Sequence, residues 1–336
     1  MRLTTPKFWY KKDPSIVAAL ITPASLLYKL GYSLNQCIKA PVPSPIPIIC
    51  IGNLTVGGAG KTPSACLVMN IIKQHKLFKA PVFLSRGYGR QSKNSFELQS
   101  HHQISQTGDE AWILAENAPV LLANNRMEGM NLALQNGSDC IVMDDGYQNT
   151  DIEQDLRILV VNSFDGFGNQ KLIPAGPLRE PLKSGIDKAD IIFVIQDPRG
   201  HNLDSDILEK ANKPIFNLDM SFQAEQIDLK KKYIAFTGIA QPQKFFKSLQ
   251  NIDLVPEETF AFPDHHRYTD TDIKKLMSSC EAKADRFVTT QKDYVRLPES
   301  MKSKTDVLKL SLTTRHSQEI TSIINDTLNE KRKIQN

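Results

Sequence analysis

From residue 46 onward, short apolar runs alternate with stretches of helical period. Residues 46–51, 82–85, 120–123, 140–143, 156–161 and 191–195 read as strands. Residues 63–75, 109–117 and 127–136 read as helices between them. Strands this short and this uniformly apolar are buried on both faces. Their alternation with helices predicts a parallel sheet covered on both sides. The pattern restarts near Lys230. Residues 233–237, 286–290 and 307–312 read as strands, and 242–250, 273–280 and about 318–329 as helices. A larger α/β core followed by a smaller α/β unit is the expectation, divided as 1–40, 41–228 and 229–336.

The first segment is different. Residues 14–28 carry Ile16, Val17, Leu20, Ile21, Leu26 and Leu27 with no charge, interrupted by Pro23. Lys11 and Lys12 precede this run, Lys29 and Lys39 follow it, and a connector with Pro41, Pro43, Pro45 and Pro47 leads into the core. Nowhere does the chain reach the roughly 20 clean apolar residues of a spanning helix, which argues against a polytopic membrane protein. The run also lacks the small-residue cleavage site of a signal peptide. It is either a helix packed on the core or a basic, apolar segment lying in a membrane interface.

Charge favours the second reading. The formal net charge of the 336 residues is +4. Residues 1–40 hold six of the 41 Lys+Arg (Arg2, Lys7, Lys11, Lys12, Lys29, Lys39) and one of the 37 Asp+Glu, Asp13. The remaining 35 bases and 36 acids nearly cancel, so the basic excess belongs to the apolar N-terminus and points to an anionic membrane surface. It gives no case for a nucleic-acid partner. Composition is otherwise globular, at 40% hydrophobic and 23% charged, which excludes disordered and fibrous classes. The five cysteines form no C-x-x-C pair, and Cys50, Cys66 and Cys140 sit in apolar runs. They read as core residues of a reducing compartment, with no disulfide framework or zinc site.

The strongest chemical signal is Thr55-Val56-Gly57-Gly58-Ala59-Gly60-Lys61-Thr62, between a predicted strand and a predicted helix. That is the setting of a phosphate-binding loop. Glycines let backbone N–H groups approach phosphates, Lys61 supplies a point charge, and the Thr62 hydroxyl suits Mg²⁺. Its first position departs from the generic G-x-x-x-x-G-K-[ST] pattern, with Thr55 in place of Gly. The strand 140–143 ends in Asp144-Asp145-Gly146, the pattern that places a carboxylate beside the phosphate-loop Mg²⁺. Ser85-Arg86-Gly-Tyr-Gly-Arg90 offers two arginines suited to phosphate. Asp109 and Glu110 open a predicted helix, a position that also suits acids for purely structural reasons. Pro263-Asp-His-His-Arg267 stays open between acid–base machinery, a metal site and a polar loop.

Taken together, these segments resemble the tetraacyldisaccharide 4'-kinase family, the lipid A 4'-kinases of Gram-negative bacteria. The carriers are Gly52-Asn-Leu-Thr-Val-Gly-Gly-Ala-Gly-Lys-Thr-Pro63, Ser85-Arg-Gly-Tyr-Gly-Arg90, Gly108-Asp-Glu110 and Asp144-Asp-Gly-Tyr-Gln148. Pro174-Ala-Gly-Pro-Leu-Arg-Glu-Pro181, Phe262-Pro-Asp-His-His266 and Thr290-Gln-Lys-Asp293 follow in order. Thr55 is shared with the family. Asn149 is a departure, since the segment usually ends in Gln-His. The resemblance implies a P-loop core, a smaller C-terminal α/β domain, and transfer of phosphate from ATP, with Mg²⁺, to the 4'-hydroxyl of an anionic tetraacylated disaccharide 1-phosphate, giving lipid IVA. It places the enzyme on the cytoplasmic face of the inner membrane, held peripherally by its N-terminal segment. It implies Asp109 as base paired with His265, and Thr62, Asp144 and Asp145 near Mg²⁺. Arg86, Arg90, Gln148 and Glu180 are expected to line the site.

Two other readings share the nucleotide motifs. One is a membrane-docked switch ATPase or GTPase acting on a protein partner. Thr290-Gln-Lys-Asp293 is superficially like the guanine-reading N/T-K-x-D motif, but its Lys falls one position late. The other is a soluble small-molecule kinase whose N-terminal helix is merely packed.

Overall fold

The computed structural model describes residues 6–10, 15–38, 40–200, 202–224 and 227–335. Arg2, Lys11, Lys12, Asp13 and Lys39, on which part of the charge reading rests, lie outside the described residues.

The strands are β1 (Ile48–Gly52), β2 (Pro81–Ser85), β3 (Phe96–Glu97), β4 (Val120–Leu122), β5 (Cys140–Asp144), β6 (Leu156–Asn162), β7 (Ile191–Gln196), β8 (Ile215–Gln223), β9 (Tyr233–Thr237), β10 (Glu258–Ala261), β11 (Arg286–Thr290) and β12 (Thr305–Thr313). The helices are α1 (Ile16–Ile38), α2 (Lys61–Gln74), α3 (Ile104–Thr107), α4 (Asp109–Ala115), α5 (Arg126–Gln135), α6 (Leu182–Asp187), α7 (Ser205–Glu209), α8 (Pro242–Gln250), α9 (Asp270–Lys283), α10 (Gln291–Tyr294), α11 (Glu299–Lys302) and α12 (Ser317–Gln335). They form the expected α/β architecture. All strands share one sheet, ordered β10-β9-β11-β12-β8-β7-β6-β1-β5-β2-β4-β3. The wholly buried β1, β5 and β9, with β7 buried up to Gln196, explain the uniform apolar runs, since helices cover both faces. Cys50 and Cys140 are fully buried there.

Register decides where the site forms. Pairing is parallel from β8 through β2 and β4, and parallel again among β10, β9, β11 and β12. The two sets join through antiparallel β8 and β12, which pair only near their C-terminal ends, Asp219–Gln223 against Lys309–Thr313. Two parallel sets joined in this inverted, staggered way turn their C-terminal edges toward one another. Loops at that edge bind ligands in open α/β sheets. Here two such edges face a common cleft.

The N-terminal segment is longer than the apolar run suggested. Helix α1 passes through Pro23 and Lys29, and its stretch Ile16–Gln36 is long and apolar enough to cross a membrane by length and composition. The helix is therefore longer than the 14–28 run suggested, although Lys29 within it keeps it from being a clean apolar run. Its amphipathicity is inverted. Ile16, Leu20 and Leu27 are 79%, 75% and 73% exposed, and Val17, Leu26, Leu30 and Leu34 are exposed too. The protein-facing stripe is small and polar: Ala18, Thr22, Ser25, Tyr28 and Tyr32, spaced three or four residues apart. The Ser25 hydroxyl donates to Leu172 O (2.8 Å) and accepts from Ala175 N (3.1 Å). Tyr28 donates to Arg179 O (2.7 Å) and Tyr32 to Glu180 Oε2 (2.8 Å).

Candidate active site

The phosphate loop runs from the end of β1 into α2. Gly60 precedes Lys61 at φ +88°, and a Cβ there would collide with Ile195 of β7. Glycine therefore permits both the turn and the close approach. Lys61 Nζ donates to Asn53 Oδ1 (3.2 Å) and lies 3.7 Å from Asp145 Oδ1. Burial pulls the Lys61 ammonium below its usual range, against the opposing pull of Asp145.

Strand β5 pairs with β1, so Asp144 at its end stands beside the loop. Thr62 Oγ1 donates to Asp144 Oδ2 (3.1 Å), while Asp144 Oδ1 is buried with no hydrogen-bond partner. Burial, with the neighbouring Asp145 charge, pushes the Asp144 carboxyl up to about 6. An orphaned carboxylate oxygen is costly unless a cation completes it. Thr62, Asp144 and Asp145 are hard oxygen donors, and this geometry fits Mg²⁺. Asp145 sits at φ +55°, which aims its side chain at Lys61 and Arg179. Desolvation raises its carboxyl, but those two cations outweigh it and hold the group low. Arg126 is wholly buried behind the pair, its Nη2 donating to Asp144 O (3.2 Å). Burial, then repulsion from Arg86, lowers its guanidinium to about 10.

Asp109 opens α4, which packs on α2, the helix that the phosphate loop opens. Gly108 precedes it at φ +77°, where a Cβ would stand 2.6 Å from Tyr88 O. The Arg86–Arg90 loop thus packs backbone to backbone on the start of α4. His265 lies in the loop after β10, also left-handed at φ +55°, with its N–H on Gly238 O (3.0 Å). Non-glycine residues in that region cost about 1–3 kcal/mol and concentrate at functional sites. His265 Nδ1 is 3.2 Å from Asp109 Oδ2, so the pair suggested by the resemblance meets in space. Next to them, Lys292 Nζ donates to Glu110 Oε1 (2.8 Å). Burial opposes both charges, yet the pairing wins, holding Glu110 low and Lys292 high. Glu110 raises the Asp144 carboxyl and Lys292 lowers the Lys61 ammonium, so the two sides of the cleft feel each other.

The remaining expected residues are distributed unevenly. Glu180 is fully buried, and its oxygens accept from Tyr32, Lys188 (2.7 Å) and Gln148 Nε2 (3.0 Å). Gln148 Nε2 also donates to Asn53 O (2.9 Å). Glu180 and Gln148 therefore brace the phosphate loop from behind. Arg90 turns away, donating to Asn94 O (2.9 Å) over the Phe96 ring, and Arg86 is exposed. Asn149 forms a local turn with Asp151 (2.9 Å). Arg179, Arg126 and Arg296 were not singled out from sequence. Arg179 was at least inside a motif, whereas nothing in the sequence marks Arg126 or Arg296. Asp293 of the guanine-like tetrad is fully buried and accepts from Thr237, Gly238, Tyr268 and Thr290, so it belongs to the protein interior.

A phosphate loop opening a helix, an acid pair at the adjacent strand end and a carboxylate–imidazole pair across the cleft define a P-loop phosphotransferase. The tetraacyldisaccharide-1-P 4'-kinase profile matches residues 17–329. The tetraacyldisaccharide 4'-kinase of Paramagnetospirillum magneticum is 36% identical over 316 residues, covering 92% of this chain and 94% of its own. That of Bartonella quintana is 35% identical over 306 residues, with 89% and 87% covered. Among solved structures, LpxK from Aquifex aeolicus, described as an "apo" form in complex with ATP, superposes with a TM-score of 0.77 at 25% identity. That match covers 93% of this chain and all of the other. The chain belongs to the tetraacyldisaccharide 4'-kinase family.

Proposed function

We infer that the protein is an ATP-dependent kinase that phosphorylates the 4'-hydroxyl of tetraacyldisaccharide 1-phosphate, giving lipid IVA in lipid A synthesis. The observation that carries this reading is the family match over residues 17–329, joined to a site in which every part of a phosphotransferase is present. No feature of the site favours a switch ATPase.

The chemistry follows from the residues. The loop from Thr55 to Thr62 wraps the β- and γ-phosphates with backbone N–H groups, and Lys61 sets its charge against them. Thr62, Asp144 and Asp145 would hold Mg²⁺, which would neutralise phosphate charge there. Asp109 takes the proton of the sugar 4'-hydroxyl as that oxygen bonds to the γ-phosphorus. The bond from γ-phosphorus to the bridging oxygen breaks, and its electron pair leaves on ADP. The inverted C-terminal strands bring His265 and Lys292 over the nucleotide and exclude water, which suppresses hydrolysis. Arg86 is exposed in the loop after β2, suited to an anionic substrate group.

Helix α1 lies in the cytoplasmic face of the inner membrane, its exposed leucines in lipid and its polar stripe on the protein. The substrate is an anionic glycolipid of that surface. Purified full-length protein with ATP, Mg²⁺ and tetraacyldisaccharide 1-phosphate is expected to yield a bisphosphorylated lipid by mass spectrometry. Folded, nucleotide-binding protein that yields none overturns the reading. In vesicle flotation, Leu20→Glu with Leu27→Glu is expected to release the protein while leaving its Tm within about 1 °C, since both side chains are already in solvent. Undiminished flotation would remove the interfacial role of α1.

A further inference from the structure

The structure sets a third side chain against the Asp109–His265 pair. Arg296 follows α10 in the C-terminal half, and its side chain is only 7% exposed. Its Nη2 donates to Asp109 Oδ2 and lies 3.1 Å from His265 Nδ1, which is itself 3.2 Å from the same oxygen. Asp109 Oδ2 accepts from Nη2 and, with a proton on His265 Nδ1, from the imidazole as well, so both groups converge on the one oxygen. At its other end, Arg296 Nη1 donates to Gly238 O and Asp293 Oδ1, both at 3.3 Å. Asp293 is locked by the Thr237 hydroxyl (2.7 Å), Gly238 N (2.9 Å) and the Tyr268 hydroxyl (2.9 Å). The guanidinium is thus anchored at the C-terminal ends of β9 and β11 and reaches across the cleft to α4.

We propose that Arg296 is a positioning residue of the kinase reaction. It acts through Asp109, holding that carboxylate ionised and turned by Oδ2, so that Oδ1 faces the sugar hydroxyl. Lys292 of α10 is engaged by Glu110, and the buried Arg126 is engaged by the Asp144 carbonyl, so neither can substitute. The proposal rests on reading Asp109 as the base.

The test uses the full chain, with steady-state kinetics in ATP and in disaccharide 1-phosphate. Arg296→Ala is expected to lower kcat by about 10²-fold, within the range of general-base contributions, and to leave KM for ATP within about 3-fold. Groups acting as one unit are non-additive, so Asp109→Ala with Arg296→Ala is expected to be no slower than Asp109→Ala alone. Added guanidinium is expected to restore part of the Arg296→Ala rate, and Arg296→Lys to retain more than Arg296→Ala. An unchanged kcat, a loss confined to KM for ATP, or a loss that multiplies with that of Asp109→Ala overturns the proposal. If Arg296→Ala does not fold, Arg296→Lys and its Asp109→Ala double variant carry the same comparison. If Asp109→Ala itself keeps near wild-type kcat, the base reading fails. That outcome differs from an inactive Asp109→Ala beside an unaffected Arg296→Ala.

Discussion

The phosphate cradle and the base assembly lie in one cleft but are built differently. The cradle comes from residues 52–62 and 140–145 on neighbouring strands β1 and β5. It leaves Asp144 Oδ1 buried without a partner and the Asp144 carboxyl raised to about 6. The base assembly joins side chains 156 and 187 residues apart, and one oxygen of its carboxylate, Asp109 Oδ2, is engaged by Arg296 and His265. The cradle therefore holds unfavourable electrostatics that a bound cation and phosphates relieve. The base side holds its charges in balance before any ligand arrives. On the proposed roles, affinity for nucleotide would be concentrated on one side, and orientation of the acceptor on the other.

The largest expected effect separates these roles. Asp109→Ala is expected to lower kcat by about 10³-fold while Mg²⁺–ATP still binds, whereas Lys61→Ala loses binding as well. Nucleotide titration beside steady-state rates checks this, and equal losses of binding in both variants would break the division. An intermediate effect concerns stability. The folded-state carboxyl of Asp144 is raised from 3.8 to about 6, so the folded form binds this proton more tightly than the unfolded form. The resulting destabilisation is absent at low pH, sets in as pH rises through about 4, and is complete above about 6. Asp144→Asn is therefore expected to stabilise nucleotide-free protein at pH 7.5 by about 1–3 kcal/mol and to abolish Mg²⁺-dependent turnover. Thermal melts at pH 7.5 and pH 4 check the sign, and an Asn variant that is less stable at pH 7.5 would contradict the strain. The smallest effect is at the brace. Tyr32→Phe removes one hydrogen bond to Glu180 and is expected to cost about 1 kcal/mol by denaturant unfolding, with kcat nearly unchanged. A fall in kcat of tenfold or more would show that α1 reaches the chemistry through Glu180, Gln148 and Asn53.

Legibility in the sequence follows the same division. The cradle is contiguous in sequence, so glycine spacing, Lys61 and an apolar strand ending in Asp144 reveal it. The strands missed were β3, β8 and β10. Strand β8 alternates exposed and buried positions through Ile215, Phe216, Asn217 and Leu218, a half-buried pattern unlike the uniform runs elsewhere. It is nevertheless one of the two strands that invert the second half of the sheet. Glu180 reads as a site-lining acid because it sits in a motif, yet contacts from α1 and Lys188 bury it completely. Pro23 interrupts the apolar run 14–28, yet the helix passes through it and continues to Ile38.

The sequence by itself determined the α/β class, the phosphate loop, the acid pair and the family, because each depends on local spacing or on motifs in a fixed order. It also placed the basic, apolar character at the N-terminus. Only the tertiary structure decided that α1 turns its polar stripe inward and its leucines outward, and that Arg296 joins Asp109 and His265. It alone showed that two C-terminal strand edges face one cleft. These depend on the antiparallel register of β8 and β12 and on contacts between residues more than a hundred positions apart, which no local pattern encodes.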